Sequence, residues 1–245
     1  MGAPFFSVVI PACNASATLH QTLDSIAEQN DHLPREVIVV DDGSSDRTVE
    51  VAQDHPSRPR IISKANGGAP SAFNVGIRAT TGAVLAFLDA DDLWTPDKLA
   101  LQRAALDSDP LLDAVMGHSE TFESPDYPPE AFASLHYKKG RYPGYLVSSL
   151  AVRRDAFEQL GILFDESLRT GYFIDWYRKA IAAGMKMTML DETVHRRRIR
   201  PGTLSRRVVA VAAGGPAGMS SDFLEIARRA LMAKRATDDG ESGGQ

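Results

Sequence analysis

The sequence predicts an α/β fold with a mainly parallel central sheet and flanking helices. Three strand–turn–helix units precede a fourth strand, and such alternation predicts parallel strands joined by right-handed crossovers. Unbroken apolar runs such as 83–88 are typical of strands buried on both faces. With 245 residues, 43% of them hydrophobic, the chain can build the core of one large domain.

The first strand is predicted over 5–10, where a β-branched run stops at Pro11. A helix over 15–29 follows, because its leucine and isoleucine residues recur on one face. The later strands are predicted at 37–40, 60–63, 83–88, 113–118, 146–152 and 185–190. The later helices are predicted at 46–53, 71–80, 95–107, 153–161, 173–183 and 221–234. The Pro- and Tyr-rich segment 123–143 predicts a long irregular insertion.

Composition excludes several classes of protein. The net charge of −5 argues against a general nucleic-acid binder. The single cysteine, Cys13, excludes an internal disulfide framework and a cysteine-based zinc site, and we expect a buried structural thiol. No stretch reaches membrane-spanning length, so no transmembrane segment and a cytoplasmic location are expected. The usual glycine-rich dinucleotide loop and the phosphate-binding loop are both missing from the sequence.

Carboxylates follow two of the predicted strands. Asp41 and Asp42 follow the second, and Asp89-Ala90-Asp91-Asp92 follows the fourth. Carboxyl ends of parallel strands share one edge of the sheet, where open α/β sheets bind ligands. Like charges this close favour a hard divalent cation with oxygen ligands. The alternative is that these residues merely cap the next helix, and we assign Asp92 to that role.

Several segments match a known family in order and spacing, namely 7–14, 39–46, 66–68 with 74–76, 87–94, and 164–168 with Gly171 and 175–176. They resemble family 2 glycosyltransferases with the A-type nucleotide-sugar fold, and the resemblance covers about 5–205. We expect a single domain over 1–235. The resemblance implies a nucleotide-sugar-binding half (about 5–117) and an acceptor half (about 118–205), and the sequence pattern beyond them predicts a C-terminal helical segment (206–235) and a disordered tail at 236–245.

The resemblance implies transfer of a sugar, with inversion, from a nucleoside-diphosphate sugar to an acceptor hydroxyl. A UDP-sugar is the expected donor, and the sequence does not identify the acceptor. Asp42 would accept from the base N–H, Asp89 would face the ribose, and Asp91, with Asp89, would hold Mn²⁺ or Mg²⁺. The full set of implied donor-binding residues is Pro11, Ala12, Asn14, Asp42, Gly68, Asp89, Ala90, Asp91 and Arg200.

The acceptor side departs from the family pattern. The general base usually follows the glycine matched by Gly171, but here Tyr172 stands there, and Asp175 is the nearest carboxylate and the candidate catalytic base. The alternative is that Asp175 pairs with Arg178 or another structural cation. Arg200 replaces a histidine and is expected to contact the diphosphate, the alternative being a solvated basic edge.

Two other functions remain open from the sequence. The first is a non-catalytic nucleotide-sugar-binding protein that has lost the general base, favoured by Tyr172 and Arg200. The second is a nucleotidyltransferase on a related sheet, which lacks its usual glycine-rich basic loop here. Trp94 is predicted to pack in the core, whereas Trp176 is left open between packing and sugar stacking.

Overall fold

The computed structural model describes residues 5–201. Its strands are β1 (Phe6–Ala12), β2 (Arg35–Asp41), β3 (Arg60–Ser63), β4 (Val84–Phe87), β5 (Leu93–Trp94), β6 (Ala114–Glu123), β7 (Arg141–Pro143), β8 (Ala151–Arg153) and β9 (Met187–Ile199). Its helices are α1 (Leu19–Ala27), α2 (Thr48–Asp54), α3 (Ala69–Ala79), α4 (Lys98–Ser108), α5 (Arg154–Leu160) and α6 (Tyr172–Ala182). Short 3₁₀ turns occur at Pro129–Phe132 and Val147–Ser149.

The strands form one sheet in the order β3-β2-β1-β4-β8-β6-β9-β5, with β7 paired to β6. The pairings among β1, β2, β3 and β4 are all parallel, as predicted. In the second half β8 runs antiparallel to β4 and β6, whereas β9 runs parallel to β6. The result is a parallel half followed by a mixed half, so the predicted fold class is confirmed.

Both faces of the sheet are covered by apolar side chains. Val8 and Ile10 of β1 pack on one face with the buried side of α1, which includes Leu19 and Leu23 as the helical periodicity predicted. Val9 belongs to a second cluster on the opposite face, with α3 and α6. Burial on both faces explains why these strands appear in the sequence as unbroken apolar runs.

Pro11 lies inside β1, and the prediction that the strand stops before it was wrong. Leu88 N–H donates to Val9 O (3.1 Å), so the odd-numbered residues of β1 direct their backbone groups toward β4. Asp42 N–H donates to Ala12 O (2.8 Å), so the even-numbered residues face β2. Pro11 therefore faces the side where β4 has already ended, and its missing N–H removes no hydrogen bond of the sheet.

The prediction of a strand over 146–152 was also wrong in its first half, where the chain forms a 3₁₀ turn before β8. The Ser149 hydroxyl donates to the carbonyls of Gly144 and Leu146, the latter at 2.9 Å. Trp94 Nε1 donates to Ser148 O (2.9 Å). Serine hydroxyls that satisfy nearby carbonyls favour turns over a regular strand.

Strand β9 extends nine residues beyond the predicted end at 190, through the arginine-rich segment to Ile199. Its parallel pairing with β6 continues to Glu123, across register irregularities on both sides of His118. Main-chain pairing along the whole of β6 therefore overrides a sequence that lacks regular apolar alternation. The short strand β5, paired antiparallel to β9, was not predicted.

Segment 123–143 is largely irregular, as expected, with one 3₁₀ turn and β7 at its end. The predicted division of the domain at residue 117 falls within β6. The predicted C-terminal helix (221–234) and the tail lie outside the described residues. Within 5–201, no helix combines the length and the apolar character needed to cross a membrane.

We predict that Gly76→Ala destabilises the protein, because the added Cβ would lie 2.2 Å from Cγ1 of Val9. Overpacking of this kind costs about 1–3 kcal/mol of unfolding free energy, measurable by urea denaturation. In a Val9→Ala background the space exists, and the same substitution is expected to cost less. An equal cost in both backgrounds would contradict close packing of α3 on β1.

Candidate active site

The carboxyl ends of β1, β2 and β4 meet at one edge of the sheet, and the predicted donor-side residues lie there. Ala12 ends β1, and its carbonyl accepts from Asp42 N–H just beyond β2 (2.8 Å). Asp89 follows β4 by two residues. These side chains lie, as predicted, at the edge where open parallel sheets bind ligands.

Asp42 holds the glycine-rich loop that precedes α3. Its Oδ1 accepts from Lys64 Nζ (2.7 Å) and from Gly67 N–H (2.9 Å). Its Oδ2 accepts from Gly68 N–H (2.7 Å), and Gly68 has a φ of +88°, a conformation that favours glycine. A carboxylate offers about four acceptor positions, so these three hydrogen bonds leave Oδ2 able to accept one more.

The loop after β1 is fastened to the loop after β2. Asn14, in a left-handed conformation (φ 51°), donates its N–H to Ser44 Oγ (3.0 Å). The Asn14 side-chain oxygen accepts from Ser45 N–H (2.9 Å). Cys13 beside it is exposed, so the expectation of a buried thiol was wrong. Cys13 lies past the end of β1, where the apolar core gives way to the open edge of the sheet.

The acidic turn that follows β4, residues 89–92, is hydrogen-bonded to helix α1 and to the residue that precedes it. The Ala90 carbonyl accepts from the hydroxyls of Thr18 (2.9 Å) and Thr22 (3.0 Å). Thr22 Oγ1 also lies 3.0 Å from Asp92 O. Within the turn, Asp92 N–H donates to Asp89 O (3.1 Å). These bonds occupy the main-chain groups, so the carboxylates are positioned by a rigid support.

Asp92 does not cap the following helix, and that assignment was wrong. The residue at the start of α4 is Asp97, and its side chain makes no capping hydrogen bond. Asp92 Oδ1 accepts from Arg198 N–H (2.8 Å), and Oδ2 lies 2.9 Å from His195 Nε2. Both partners belong to β9, so Asp92 joins the acidic turn to a strand distant in the sequence.

His195 continues this chain of hydrogen bonds to Ser119 of β6, whose Oγ lies 2.9 Å from His195 Nδ1. The residue types are those of a hydrolase triad. However, Ser119 and His195 are both 0% exposed, and Asp92 is 5% exposed. No substrate reaches a hydroxyl buried in this way, so the three residues are structural.

Asp89 and Asp91 carry the unbalanced negative charge of the turn. Burial, followed by the charges of Asp92 and Asp91, raises the pKa of Asp89 to about 7. Burial and Asp92 likewise raise the pKa of Asp91 to about 6, against the lowering effect of Arg200. Ser148 Oγ lies 3.1 Å from Asp89 Oδ2, and Arg200 Nη2 lies 3.3 Å from Asp91 Oδ2.

Three arginines, Arg197 and Arg198 in β9 and Arg200 just beyond it, lie near the acidic turn and have different roles. Arg198 is buried, and it donates to Asp91 O (2.8 Å) and to Gln21 Oε1 of α1 (2.6 Å). Arg197 lowers the pKa of both Asp89 and Asp91 by its charge. Arg200 contacts Asp91 through one nitrogen, while its Nε is buried without a hydrogen-bond partner among the described residues. An orphaned buried N–H is a donor available to an anion.

Asp175 lies on the buried face of α6 and is 1% exposed. Its Oδ2 forms an ion pair with Lys179 Nζ at 2.5 Å, one turn along the helix, without hydrogen-bond geometry. Trp176 is also buried, stacked between Phe157 and Phe173, which answers the open question in favour of packing. Trp94 is packed as predicted, at 3% exposure.

Tyr172 is the first residue of α6, and the charges of the acidic turn act on its phenol. Burial, and then the charges of Asp89, Asp92 and Asp91, raise the pKa of Tyr172 well above its usual value. Its phenol therefore lies within electrostatic reach of the turn, whereas the contacts of Asp175 are with Lys179.

Sequence reasoning missed Ser148 and Arg197 as neighbours of the acidic turn. The alternation of a strand through 196–200 would have separated Arg197 from Arg196 and Arg198, but the segment was not predicted to be a strand. Nothing in the sequence near Ser148 pointed to Asp89.

Comparison with known proteins identifies the family. The model of the family described as "Glycosyl transferase family 2" matches residues 7–161. The chain belongs to this family. The match includes β1, β2, the glycine-rich loop and the acidic turn, which are the elements that build the site.

Curated family members share the sequence over most of this chain. The glycosyltransferase AglE of Haloferax volcanii is 30% identical over 224 residues, covering 86% of this chain and 73% of AglE. The uncharacterized glycosyltransferase EpsJ of Bacillus subtilis is 29% identical over 221 residues, covering 82% of this chain. The chain spans 63% of the length of EpsJ, so part of that relative has no counterpart here.

Solved structures share the A-type glycosyltransferase fold. S. aureus TarS (residues 1–349) in complex with UDP-GlcNAc has a TM-score of 0.64 at 22% identity, covering 81% of this chain and 59% of the TarS chain. The mannosyltransferase PcManGT of Pyrobaculum calidifontis, in complex with GDP-Man and Mn²⁺, has a TM-score of 0.61 at 21% identity. That match covers 89% of this chain and 67% of PcManGT.

We predict that Asp89→Asn stabilises the metal-free protein at pH 8. The folded-state pKa of about 7 lies above the unfolded value of about 3.9, so the stability that Asp89 contributes at low pH is lost as pH rises through 7. The variant is expected to unfold several degrees above the wild type, at about 2–4 °C per kcal/mol.

Calorimetry in EDTA at pH 8 and pH 5 measures this difference, which should shrink at the lower pH. Asp107→Asn, on the exposed face of α4, is the control and should change little. A difference independent of pH would contradict the raised pKa of Asp89.

Proposed function

We propose that this chain transfers a sugar from a nucleoside-diphosphate sugar to an acceptor hydroxyl, with inversion and with a divalent metal ion. The observation that carries the proposal is the pair Asp89 and Asp91 at the carboxyl end of β4, at the same edge of the sheet as Asp42, in a family 2 domain. The alternative nucleotidyltransferase has no supporting observation.

The base of the donor is proposed to bind between the ends of β1 and β2, against Pro11, Ala12, Asn14 and Gly68. Asp42 is the polar group at this position, since Oδ2 retains an acceptor site for a base N–H after binding the loop. A UDP-sugar is the expected donor. The complexes of TarS with UDP-GlcNAc and of PcManGT with GDP-Man support a nucleotide sugar as the ligand class.

Mn²⁺ or Mg²⁺ is proposed to bind at Asp91 and Asp89. Hard divalent cations prefer oxygen ligands, and two carboxylates with Ala90 between them supply such a set. Burial, and then the charges of neighbouring carboxylates, raise the pKa of both residues, and the nearby arginines offset only part of that effect. A bound ion would supply Lewis-acid stabilisation of the departing diphosphate. The Mn²⁺ in the PcManGT complex is consistent with this assignment.

Arg200 is proposed to contact the donor phosphates. It already lies 3.3 Å from Asp91, and its buried Nε has no partner among the described residues. A guanidinium binds phosphate through two parallel N–H groups, a geometry that a histidine cannot supply. Arg200 would thus orient the leaving group and stabilise its charge.

Asp175 is the proposed general base, which would accept the proton of the attacking hydroxyl. The ion pair with Lys179 is specific support for the second candidate function, a nucleotide-sugar-binding protein without transferase activity, because it engages the only carboxylate of α6. In an active enzyme the Lys179 side chain, 42% exposed, would have to yield this carboxylate to the acceptor.

We predict that Asp91→Asn lowers turnover by about 100-fold or more, because one ligand of the ion is lost. Release of nucleoside diphosphate from UDP- and GDP-sugars, with Mn²⁺, across an acceptor panel measures this. Asp107→Asn is the matched surface control and should retain wild-type turnover. Equal turnover in Asp91→Asn and the control would refute the metal assignment.

We predict that Asp175→Asn lowers kcat by about 10²–10⁴-fold while donor affinity, measured by calorimetry, is retained. Lys179→Ala breaks the same ion pair but keeps the carboxylate, so it should retain turnover. If both variants lose stability alike and neither changes kcat, Asp175 is structural. Donor binding without turnover in the wild type would favour the non-catalytic function.

A further inference from the structure

A cluster of two histidines and one carboxylate lies on α1 and at the end of α2, outside the donor site. His20 and Asp24 are one turn apart on α1, and His55 follows α2 directly. His20 Nδ1 lies 3.0 Å from Asp24 Oδ2, and His55 Nε2 lies 3.2 Å from Asp24 Oδ1. One ligand atom from each of the three side chains lies within 4.8 Å of the other two.

From this geometry we infer that His20, Asp24 and His55 form a second metal site, for Zn²⁺ or a similar transition-metal ion. Two imidazole nitrogens and a carboxylate oxygen suit a borderline cation better than Mg²⁺, which prefers all-oxygen ligands. With metal–ligand bonds of about 2.0–2.2 Å, tetrahedral ligand atoms lie about 3.3–3.6 Å apart. The two short separations are close to that value but involve different oxygens of Asp24, so the side chains must rotate to bring one oxygen and both nitrogens onto a single ion.

The surroundings of His55 hold its ring in a fixed position. His55 is 3% exposed, and its Nδ1 lies 2.7 Å from Ser57 Oγ and accepts from Ser57 N–H (3.2 Å). Nε2 therefore carries the proton directed at Asp24, and a bound ion would displace that proton and leave Nδ1–H to donate to the hydroxyl. Metal-ligating histidines usually donate their other ring nitrogen in this way, which fixes the ring. Ser57 is therefore the outer partner of the site.

The site is open to solvent on one side. The side chains of His20 and Asp24 are 60% and 44% exposed, so water has access to a fourth coordination position. A simple hydrogen bond would explain His55 with Asp24. His20, one helical turn from Asp24, adds a second imidazole to the same carboxylate, with ring centroids 4.7 Å apart, so two ring nitrogens and a carboxylate are gathered at one point.

This site is separate from the proposed donor metal. Thr18, which precedes α1, and Thr22 of α1 contact the acidic turn. At 3.6 residues per turn, His20 lies about 200° around the helix from Thr22, on the opposite side. An ion there would join α1 to the end of α2 and so brace the helix that supports Ala90 O.

Calorimetric titration of the tag-free, EDTA-treated chain with Zn²⁺, and of Co²⁺ followed by its visible absorption, tests the inference. The wild type is expected to bind one ion with nitrogen ligation, and His20→Ala should weaken binding at least 10-fold. His32→Ala, another exposed histidine, is the matched control and should not change affinity. His20 is exposed, so its variant should fold normally, which a thermal melt checks.

Asp91→Asn separates this inference from the proposed function, because it should abolish the donor-linked Mn²⁺ effect and leave Zn²⁺ binding intact. Unchanged Zn²⁺ affinity in His20→Ala, or no Zn²⁺ binding by the wild type, would overturn the site. Loss of Zn²⁺ binding in Asp91→Asn, with retention in His20→Ala, would also overturn it by assigning the ion to the acidic turn.

Discussion

The buried carboxylate of Asp92 is the interaction on which the site depends. One oxygen binds the Arg198 main chain and the other the His195 ring, so the turn after β4 is attached to β9. More than one hundred residues separate these partners in the chain, and no local interaction could replace the link. Leaving a buried polar group without its hydrogen-bond partner typically costs about 1–3 kcal/mol, and more when the group is charged. Asp92 is therefore not available to a ligand. Its hydrogen bonds fix the turn that carries the carboxylates of Asp89 and Asp91.

The carboxylates of the turn and the nearby arginines have different roles. Asp92 is held by Arg198 N–H and the His195 ring, whereas burial and the charge of Asp92 raise the pKa values of Asp89 and Asp91. The Arg198 side chain supports the turn by donating to Asp91 O, and the Nε of Arg200 has no hydrogen-bond partner within residues 5–201. A stability optimum would pair every charge. The incomplete pairing at this edge is the kind of local cost that proteins retain where they bind ligands.

Much of the parallel half could be predicted because its signals are local. Each apolar run of β1, β2 and β4 is buried on both faces, and the acidic residues follow directly. The second half depends on pairings between distant segments. The continuation of β9 is determined by β6, and the role of Asp92 by His195, so neither is encoded within a short window. Pro11 was misjudged for the same reason, since its tolerance depends on where β4 ends.

The position of Pro11 has a consequence for the shape of the molecule. Beyond the last residue of β4, the Pro11 side of β1 has no strand partner among residues 5–201, although Pro11 is buried, and an unpaired strand edge ordinarily recruits another segment or another molecule. The pyrrolidine ring removes the donor that such an intruder would need. Pro11 thus disfavours the pairing of another strand with this end of β1. The edge of the sheet stays accessible to ligands that do not bind as a strand.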